Sequence, residues 1–284
     1  MDCDAESYNI DKDKIEAEIE GKGKREKGKI KAIVAVHLYG QPADMDPLAE
    51  IAKKHGLHLV EDAAQAHLAE YKGKRVGGIG EIASYSFYPG KNLGAFGEAG
   101  AVTTNNDDLT KLIKMYREHG QSEKYHHEVL GHNYRMEGIQ GAVLGVKLKY
   151  LNEWTEKRRA VARRYKEMLS DIEQIVLPKE MPFAKHVYHL FVIRVKDVKS
   201  KEKGVGSRDG LMKYLNENGI ATGLHYPIPL HLQNCFKYLG YKKGDFPVAE
   251  ELAETGLSLP MFPEMTEEQI EYVCGKIKAF FRKQ

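Results

Sequence analysis

The chain has 284 residues, of which 42% are hydrophobic, so it is long enough for one large α/β domain or for two domains with separate cores. Its 43 Lys and Arg against 41 Asp and Glu give a net charge of +2, which provides no field to recruit nucleic acid or an anionic membrane. No apolar run reaches the roughly 18–20 residues of a membrane span, and the three cysteines are too scattered for a disulfide framework. These features predict a soluble protein of a reducing cytoplasm.

Strand and helix patterns alternate from residue 31 to about residue 105. KAIVAVHLYG (31–40) is predicted to be a buried strand, and MDPLAEIAKKHG (45–56) a helix with Asp46 as N-cap, Pro47 at the first position and Gly56 just beyond its end. Further strands are predicted at LHLVEDAAQ (57–65), IASYSFY (82–88) and AGAVTT (99–104), and a further helix at NDDLTKLIKMYREHG (106–120). This alternation predicts a mostly parallel sheet that binds ligands beyond the carboxyl ends of its strands.

The second half of the chain has a different pattern. Residues 136–169 are almost continuously helical in pattern, which predicts one long helix, with or without a bend, that links two units. HVYHLFVIRV (186–195) is then a predicted strand, RDGLMKYLNENG (208–219) a helix, and MTEEQIEYVCGKIKAFF (265–281) a helix opened by Thr266 with Gln269 three residues later. We therefore expect a large domain over residues 1–156 and a smaller α+β domain over residues 157–284.

Several common motifs fail on spacing. The glycine-rich segments do not give G-x-G-x-x-G between a strand and a helix, and the lysine at 91 lacks the flanking residues of a phosphate-binding P-loop. His127 and His132 are five residues apart and diverge by about 140° on a helix, so no metal site is predicted. Six cationic residues between Lys22 and Lys31 are interpreted as a solvated loop, because no aromatic residues interleave them.

Four polar residues are expected at one rim of the predicted sheet. Asp62 closes one strand, Gln65 follows one turn later, and Ser86 and Lys91 lie at and beyond the end of the next strand. Each has an ordinary explanation as a helix cap, a core hydroxyl or a turn lysine. Together they match the needs of pyridoxal phosphate, which requires an amine for its aldehyde, a carboxylate for its pyridine nitrogen and donors for its phosphate.

Three segments, VEDAAQAH, SFYPGKNLGA and GHNYRMEGIQGAVLGVKLKYL, closely resemble the sugar aminotransferases of the DegT/DnrJ/EryC1/StrS family. The resemblance implies the pyridoxal-phosphate-dependent transferase fold type I, in which helices cover both faces of a mostly parallel sheet. It implies that Lys91 holds the cofactor and shuttles the proton, Asp62 pairs with the pyridine nitrogen, Gln65 packs near the ring and Ser86 holds the phosphate. Asn133 would reach the phosphate bound by a neighbouring subunit, so that a homodimer shares its sites.

The resemblance also implies a substrate class. Family members transfer an amino group, usually from L-glutamate, to a keto sugar attached to a nucleotide. Relatives that dehydrate sugars carry histidine in place of the lysine, so Lys91 favours transamination, and the segment after Gly131 is most similar to enzymes that aminate dTDP-linked 6-deoxy-keto-hexoses at C3. The residues that resemble positions near the sugar pocket are His186, His189, His225, Tyr226 and His231, and structural histidines are an equal alternative.

The sequence departs from the family pattern in two places. Leu68 and Ala69 stand where the family usually has Gly-Ala, which adds a side chain beside the cofactor site. Met1 falls where the family is already inside its large domain, so we expect an N-terminally incomplete domain without the family's phosphate-binding helix start. Two functions stay open: a sugar aminotransferase for cell-surface polysaccharide or amino-sugar synthesis, and a non-catalytic relic or partner subunit of such an enzyme.

Overall fold

The computed structural model describes residues 1–21, 30–196 and 206–282. Nearly all of the cationic stretch between Lys22 and Lys31 lies outside these residues. The helices of the described chain are α1 (Ile15–Ile19), α2 (Met45–His55), α3 (Asp107–Arg117), α4 (Gly138–Lys147), α5 (Leu151–Leu169), α6 (Arg208–Glu217), α7 (Pro247–Thr255) and α8 (Glu267–Arg282). The strands are β1 (Ala32–Val36), β2 (His58–Asp62), β3 (Glu70–Tyr71), β4 (Lys74–Arg75), β5 (Ile82–Ser86), β6 (Gly100–Thr103), β7 (Gln121–Glu123), β8 (His126–His127), β9 (Ile175–Val176), β10 (Ala184–Lys185), β11 (Phe191–Val195) and β12 (Gly256–Leu259).

The central sheet has four strands in the order β1-β2-β5-β6. β1, β2 and β5 run parallel, and β6 pairs antiparallel with β5. The register places Val36 opposite Asp62, and Asp62 opposite Ser84. The predicted α/β class with a mostly parallel sheet is confirmed, and the carboxyl ends of β2 and β5 lie side by side as expected.

The sheet is covered unevenly. On β1, Ile33 and Ala35 are buried and belong to a core cluster with residues of α2, whereas Val34 is 52% exposed and Val36 37% exposed on the opposite face. β6 continues this open face with Val102, which is 47% exposed. Within the described residues, the expected helix layer is therefore present on one face of β1.

The start of α2 differs from the prediction. The helix begins at Met45, so its N-cap is Asp44, and the predicted cap Asp46 lies inside the first turn. The Asp46 carboxylate accepts a hydrogen bond from Lys72 at 2.5 Å, and the Asp44 side chain makes no capping hydrogen bond. The predicted end is confirmed, because Gly56 adopts φ 61°, a left-handed conformation that favours glycine.

The linking segment and the C-terminal helix agree with the pattern. The predicted long helix is two helices, α4 and α5, joined by a 3₁₀ turn at Leu148–Tyr150. α8 opens with the predicted capping box: the backbone N–H of Thr266 donates to the Gln269 side chain, and that of Gln269 donates back to the Thr266 hydroxyl.

The strand predicted over residues 186–195 is shorter than expected. β11 begins at Phe191, because Tyr188 has φ 46° and so turns the chain out of the extended conformation. The buried Arg158 guanidinium donates to the carbonyl oxygens of Tyr188 and His189, which satisfies these groups outside the sheet.

The departure at Leu68 has a structural counterpart. Leu68 has φ 67°, in the region that glycine tolerates and a leucine adopts at a cost of about 1–2 kcal/mol. Its side chain packs against two core clusters, one containing Val76 and the other Leu93. Leu68 thus makes apolar contacts at a position whose backbone conformation favours glycine.

The boundary between residues 156 and 157 stays a prediction, since it falls inside the continuous helix α5. Leu151 packs in a cluster with Leu93 and Leu144 of the first half. Val161, further along the same helix, belongs to the large cluster built around β11 and α8. The helix thus carries packing surfaces for both halves.

Candidate active site

The predicted rim exists at the carboxyl ends of β2 and β5. Asp62 is the last residue of β2, and Ser86 is the last residue of β5. Both are part-buried, and they lie on the face of the sheet opposite Glu61 and Ala83, because side chains alternate along each strand. The Asp62 carboxylate accepts from the Ala64 backbone N–H at 3.0 Å, so it also fixes the turn that follows β2.

A tight turn presents Lys91 at this rim. The Lys91 backbone N–H donates to the Tyr88 carbonyl at 2.9 Å, and the Ala95 N–H returns to the Phe87 carbonyl at 2.8 Å. The loop folds so closely on itself that a Cβ at Gly94 would lie 2.3 Å from the Pro89 oxygen. Glycine at 94 therefore permits the turn that carries the lysine.

Lys91 differs electrostatically from a surface lysine. Burial lowers the pKa of its ammonium, and the nearby Asp62 carboxylate opposes that shift. A lowered pKa raises the fraction of the neutral amine, the form that attacks a carbonyl. The side chain is half-buried, so it stays accessible to a bound molecule.

Gln65 connects the rim to the second half of the chain. Its side-chain oxygen accepts from the Tyr39 N–H at 2.7 Å, and its amide donates to the Tyr226 hydroxyl at 3.2 Å. The Tyr39 hydroxyl in turn donates to the carbonyl of His225. Gln65 is 9% exposed, and these bonds fix the His225 and Tyr226 segment against the rim.

His225 and His189 both lie within the electrostatic reach of Lys91. Burial lowers the pKa of His225 and that of His189, the latter to about 3, and the positive charge of Lys91 lowers both further. His225 Nδ1 lies 2.8 Å from the Ser258 hydroxyl, and His189 Nδ1 lies 3.3 Å from the Asn92 side-chain oxygen. The structure therefore brings His189, His225 and Tyr226 to the Lys91 rim.

The other two predicted histidines have different surroundings. His186 is 3% exposed and stacks on Tyr188 with ring centroids 4.0 Å apart. His231 lies 2.9 Å from a carboxylate oxygen of Glu250 and packs edge-on against Phe246. The charged groups that act on His186 are Lys166 and Arg159, not Lys91.

Asn133 lies on the exposed segment that precedes α4. Its side-chain oxygen accepts from Arg135 at 2.9 Å, and its backbone forms a bridge with Glu118. Around it, Leu130 is 95% exposed, Tyr134 70% and Ile139 74%. Its predicted reach to a neighbouring subunit's phosphate stays a prediction.

Sequence reasoning missed His67, which lies beneath the rim. Its ring is 4% exposed and packs between Tyr85 and Phe87, with centroid distances of 5.4 and 5.6 Å. Burial lowers its pKa to about 4, the Lys91 charge contributes in the same direction, and neither ring nitrogen has a well-formed hydrogen bond in the described structure. The available signal was its place two residues after Gln65, in the turn that follows β2.

The residues at the rim fit pyridoxal phosphate. An accessible amine with a lowered pKa, a carboxylate and a hydroxyl meet the three demands of the cofactor, and the buried imidazole of His67 lies close to them. In the described ranges, no group of three or more His, Cys, Asp or Glu could hold a metal ion. Across the same ranges, no helix has the length and apolarity to cross a membrane.

The comparison with protein families matches residues 1–278 to the DegT/DnrJ/EryC1/StrS aminotransferase family. The Geobacillus stearothermophilus protein named "Pleiotropic regulatory protein" is 47% identical over 284 residues, which are 99% of this chain and 72% of that protein. The Streptomyces venezuelae protein named dTDP-3-amino-3,4,6-trideoxy-alpha-D-glucose transaminase is 43% identical over 250 residues, 88% of this chain and 63% of that protein.

A solved structure shares the fold. The crystal structure of S. venezuelae DesV, described as a complex with a ketimine intermediate, superposes with a TM-score of 0.88 at 39% identity. The match covers 98% of this chain and 70% of DesV. The chain thus spans about two thirds of the length of the proteins it matches.

Proposed function

The chain belongs to the DegT/DnrJ/EryC1/StrS aminotransferase family, and on this premise we propose that it moves an amino group from an amino acid to a nucleotide-linked keto sugar. One observation carries the proposal: a half-buried lysine with a lowered pKa, Lys91, follows the strand end that neighbours Asp62. The transaminase names of relatives favour catalysis over a non-catalytic relic.

The family's cofactor is pyridoxal phosphate. When bound, it withdraws electrons from the carbon that carries the amino group, so that the proton on this carbon becomes removable. The Lys91 amine would hold the cofactor aldehyde covalently and, once released, would take up and return that proton at Nζ. The Asp62 carboxylate would bind the pyridine N–H, the Ser86 hydroxyl would donate to the phosphate, and Gln65 would pack near the ring.

The proposed acceptor is a dTDP-linked 6-deoxy-keto-hexose aminated at C3, and the proposed donor is L-glutamate. The name of the S. venezuelae relative, a dTDP-3-amino sugar transaminase, supports this class. Tyr226 and His225 are the best supported sugar-pocket residues, because Tyr226 bonds to Gln65 and His225 is held beside Lys91. His186 and His231 have weaker support, since other side chains occupy their surroundings.

We further propose a homodimer that shares its sites through Asn133, and a cytoplasmic location. The exposed apolar side chains around Asn133 support a second copy as its neighbour. The cysteines Cys3, Cys235 and Cys274 are all free, which supports a reducing compartment.

The cofactor proposal is tested by trapping the attachment site. The purified chain is mixed with pyridoxal phosphate, its absorbance is recorded, and borohydride reduction is followed by peptide mapping. We expect the label on Lys91 and its loss in Lys91→Ala, whereas Lys54→Ala should keep it, because Lys54 is an exposed lysine paired with Glu16. A label on another lysine of the unmodified chain would contradict the assignment.

The substrate proposal has a separate test. Unreduced chain loaded with pyridoxal phosphate is supplied with L-glutamate and a dTDP-linked 3-keto-6-deoxyhexose, and the amino sugar is identified by mass spectrometry and NMR. Amination at C3 is expected. Amination at another carbon would remove the C3 assignment, and a cofactor-loaded chain that fails with every keto sugar would remove the substrate class.

A further inference from the structure

The side chain that follows Lys91 fixes the protonation of a histidine at the rim. Asn92 is 7% exposed, and its amide group donates to the Val187 carbonyl at 3.2 Å, which orients its oxygen toward His189 Nδ1 at 3.3 Å. An amide oxygen only accepts hydrogen bonds. His189 Nδ1 must therefore carry a proton, and the neutral ring has its lone pair on Nε2.

Every charged group that acts on His189 opposes a second proton. Burial lowers its pKa to about 3, and the positive charge of Lys91 is the largest electrostatic contribution. The remaining groups are Arg158, His67 and His225, none of which can carry a negative charge. Among the described residues, no side chain or backbone group donates a hydrogen bond to Nε2 of His189. The ring is thus a neutral acceptor at physiological pH.

We propose that Asn92 acts as a positioning residue: by fixing the His189 tautomer it leaves His189 Nε2 as an unprotonated acceptor at the Lys91 rim. The Lys91 amine forms no hydrogen bond with Nε2 in the described structure, and we expect that bond to form and to orient Nζ when a carbonyl compound binds. The role in proton transfer rests on the proposed function, whereas the tautomer does not.

The same segment contains a natural comparison. His186, three residues earlier, accepts a hydrogen bond at Nδ1 from the Tyr188 backbone N–H at 2.9 Å. Because a backbone N–H only donates, His186 Nδ1 must be unprotonated and its proton lies on Nε2. The buried His186 and the part-buried His189 of one short segment are therefore held in opposite tautomers.

The direct test is a long-range ¹H–¹⁵N spectrum of the chain with ¹⁵N-labelled histidine, with His189 assigned through His189→Gln. We expect an Nδ1-protonated ring at His189 that does not titrate between pH 5 and 9, and an Nε2-protonated ring at His186. An Nε2-protonated or titrating His189 would overturn the inference whether or not the chain proves to be an aminotransferase.

Two variants at Asn92 then distinguish an effect of the His189 tautomer from an effect of lost packing. Asn92→Leu removes the acceptor, so the Nδ1-protonated signal should be lost and covalent attachment of pyridoxal phosphate to Lys91 should slow roughly tenfold at every pH. Asn92→Asp keeps an acceptor but adds a negative charge that raises the His189 pKa. Attachment of pyridoxal phosphate in Asn92→Asp should therefore be slower than in the unmodified chain only below the raised His189 pKa. The His186 signal should not change in either variant.

The outcomes distinguish this inference from the proposed function. An attachment rate in Asn92→Leu equal to that of the unmodified chain would overturn the role of Asn92. Failure of the unmodified chain to attach the cofactor at Lys91 would overturn the proposed function, while the spectrum of His189 would still decide its tautomer.

Discussion

At the scale of single residues, Lys91 combines burial, which also lowers the pKa of Lys166, with a position at the end of a strand beside Asp62. Several of the described lysines pair with exposed carboxylates, as Lys54 does with Glu16 and Lys72 with Asp46. Lys91 instead sits at a strand end where burial lowers its pKa. The chemistry therefore depends on desolvation of one amine, which is a common way to activate a lysine.

The neighbour of Asp62 has an equally specific environment. Glu61 is fully buried, and its two carboxylate oxygens bind the N–H groups of Gly77, Ile79 and Gly80 and the imidazole of His37. His37 Nδ1 accepts from the Ala43 N–H at 3.1 Å, so its proton lies on Nε2 and points at Glu61. A single carboxylate thus ties β2 to two loops below the rim.

Glu61→Gln should destabilise the protein strongly. The amide replaces one acceptor oxygen with an N–H group that faces backbone donors, so we expect a loss of about 2–4 kcal/mol in the free energy of unfolding. Urea unfolding measures the loss. The control is Glu81→Gln, an exposed carboxylate paired with His58, for which a change within about 0.5 kcal/mol is expected. Equal effects in the two variants would contradict this role for Glu61.

The same carboxylate should make stability depend on acid pH. Burial alone would raise the pKa of Glu61, but the hydrogen bonds from His37, Gly77 and Gly80 outweigh it, and the pKa is lowered. A lowered pKa means that Glu61 contributes its full stabilisation above its ordinary pKa near 4.5 and loses it as the pH falls through the folded-state value. The difference in unfolding free energy between the unmodified chain and Glu61→Gln should therefore shrink below about pH 4.5.

At the scale of elements, the turn after β5 controls where the amine lies. The turn has two glycines with different steric surroundings. A Cβ at Gly94 would collide with the Pro89 carbonyl oxygen at 2.3 Å, whereas a Cβ at Gly90 would meet its nearest neighbour, a ring carbon of Tyr88, at an ordinary 3.5 Å. Only Gly94 is required for the loop to close.

Gly94→Ala should therefore displace Lys91, and Gly90→Ala should not. We expect Gly94→Ala to lose at least about tenfold in its affinity for pyridoxal phosphate, because backbone atoms must shift to relieve the collision. Gly90→Ala is the matched control and should bind as the unmodified chain does. Absorbance titration with the cofactor measures both. A tight-binding Gly94→Ala would show that this turn does not position the amine.

At the scale of the whole molecule, the site is assembled from distant parts of the chain. Gln65 bonds to Tyr226 across 161 residues of sequence, and Tyr39 bonds to the His225 carbonyl across 186. Arg158 adds a further link, with bonds from α5 to the carbonyls of His189 and Met261. The second half of the chain therefore fixes one wall of the rim formed by the first half.

The shared-site proposal can be tested by complementation. Lys91→Ala and Asn133→Ala chains should each be inactive as homodimers, but mixed dimers place both substitutions in one site and leave the other intact. After the two variants are unfolded and refolded together, about a quarter of the sites should regain cofactor and activity. Recovery no greater than the sum of the separate variants would mean that Asn133 serves no neighbouring site.

The sequence by itself determined the sheet, its mostly parallel order and the rim, because strand periodicity and the short stretches around Asp62, Ser86 and Lys91 are local signals. It also determined the capping box of α8, which needs only Thr266 and Gln269. It misplaced the N-cap of α2 by two residues: the cap is Asp44, whose carboxylate accepts from the Tyr71 hydroxyl, a contact between residues 27 positions apart.

Only the tertiary structure decided which histidines reach the site. His186, His189, His225 and His231 are equivalent in the sequence, but backbone turns and buried partners place two beside Lys91 and two elsewhere. The tautomer of His189 is likewise set by Asn92, 97 residues away in sequence. Protonation depends on the three-dimensional sum of burial, hydrogen bonds and neighbouring charges, and no local pattern in a sequence encodes that sum.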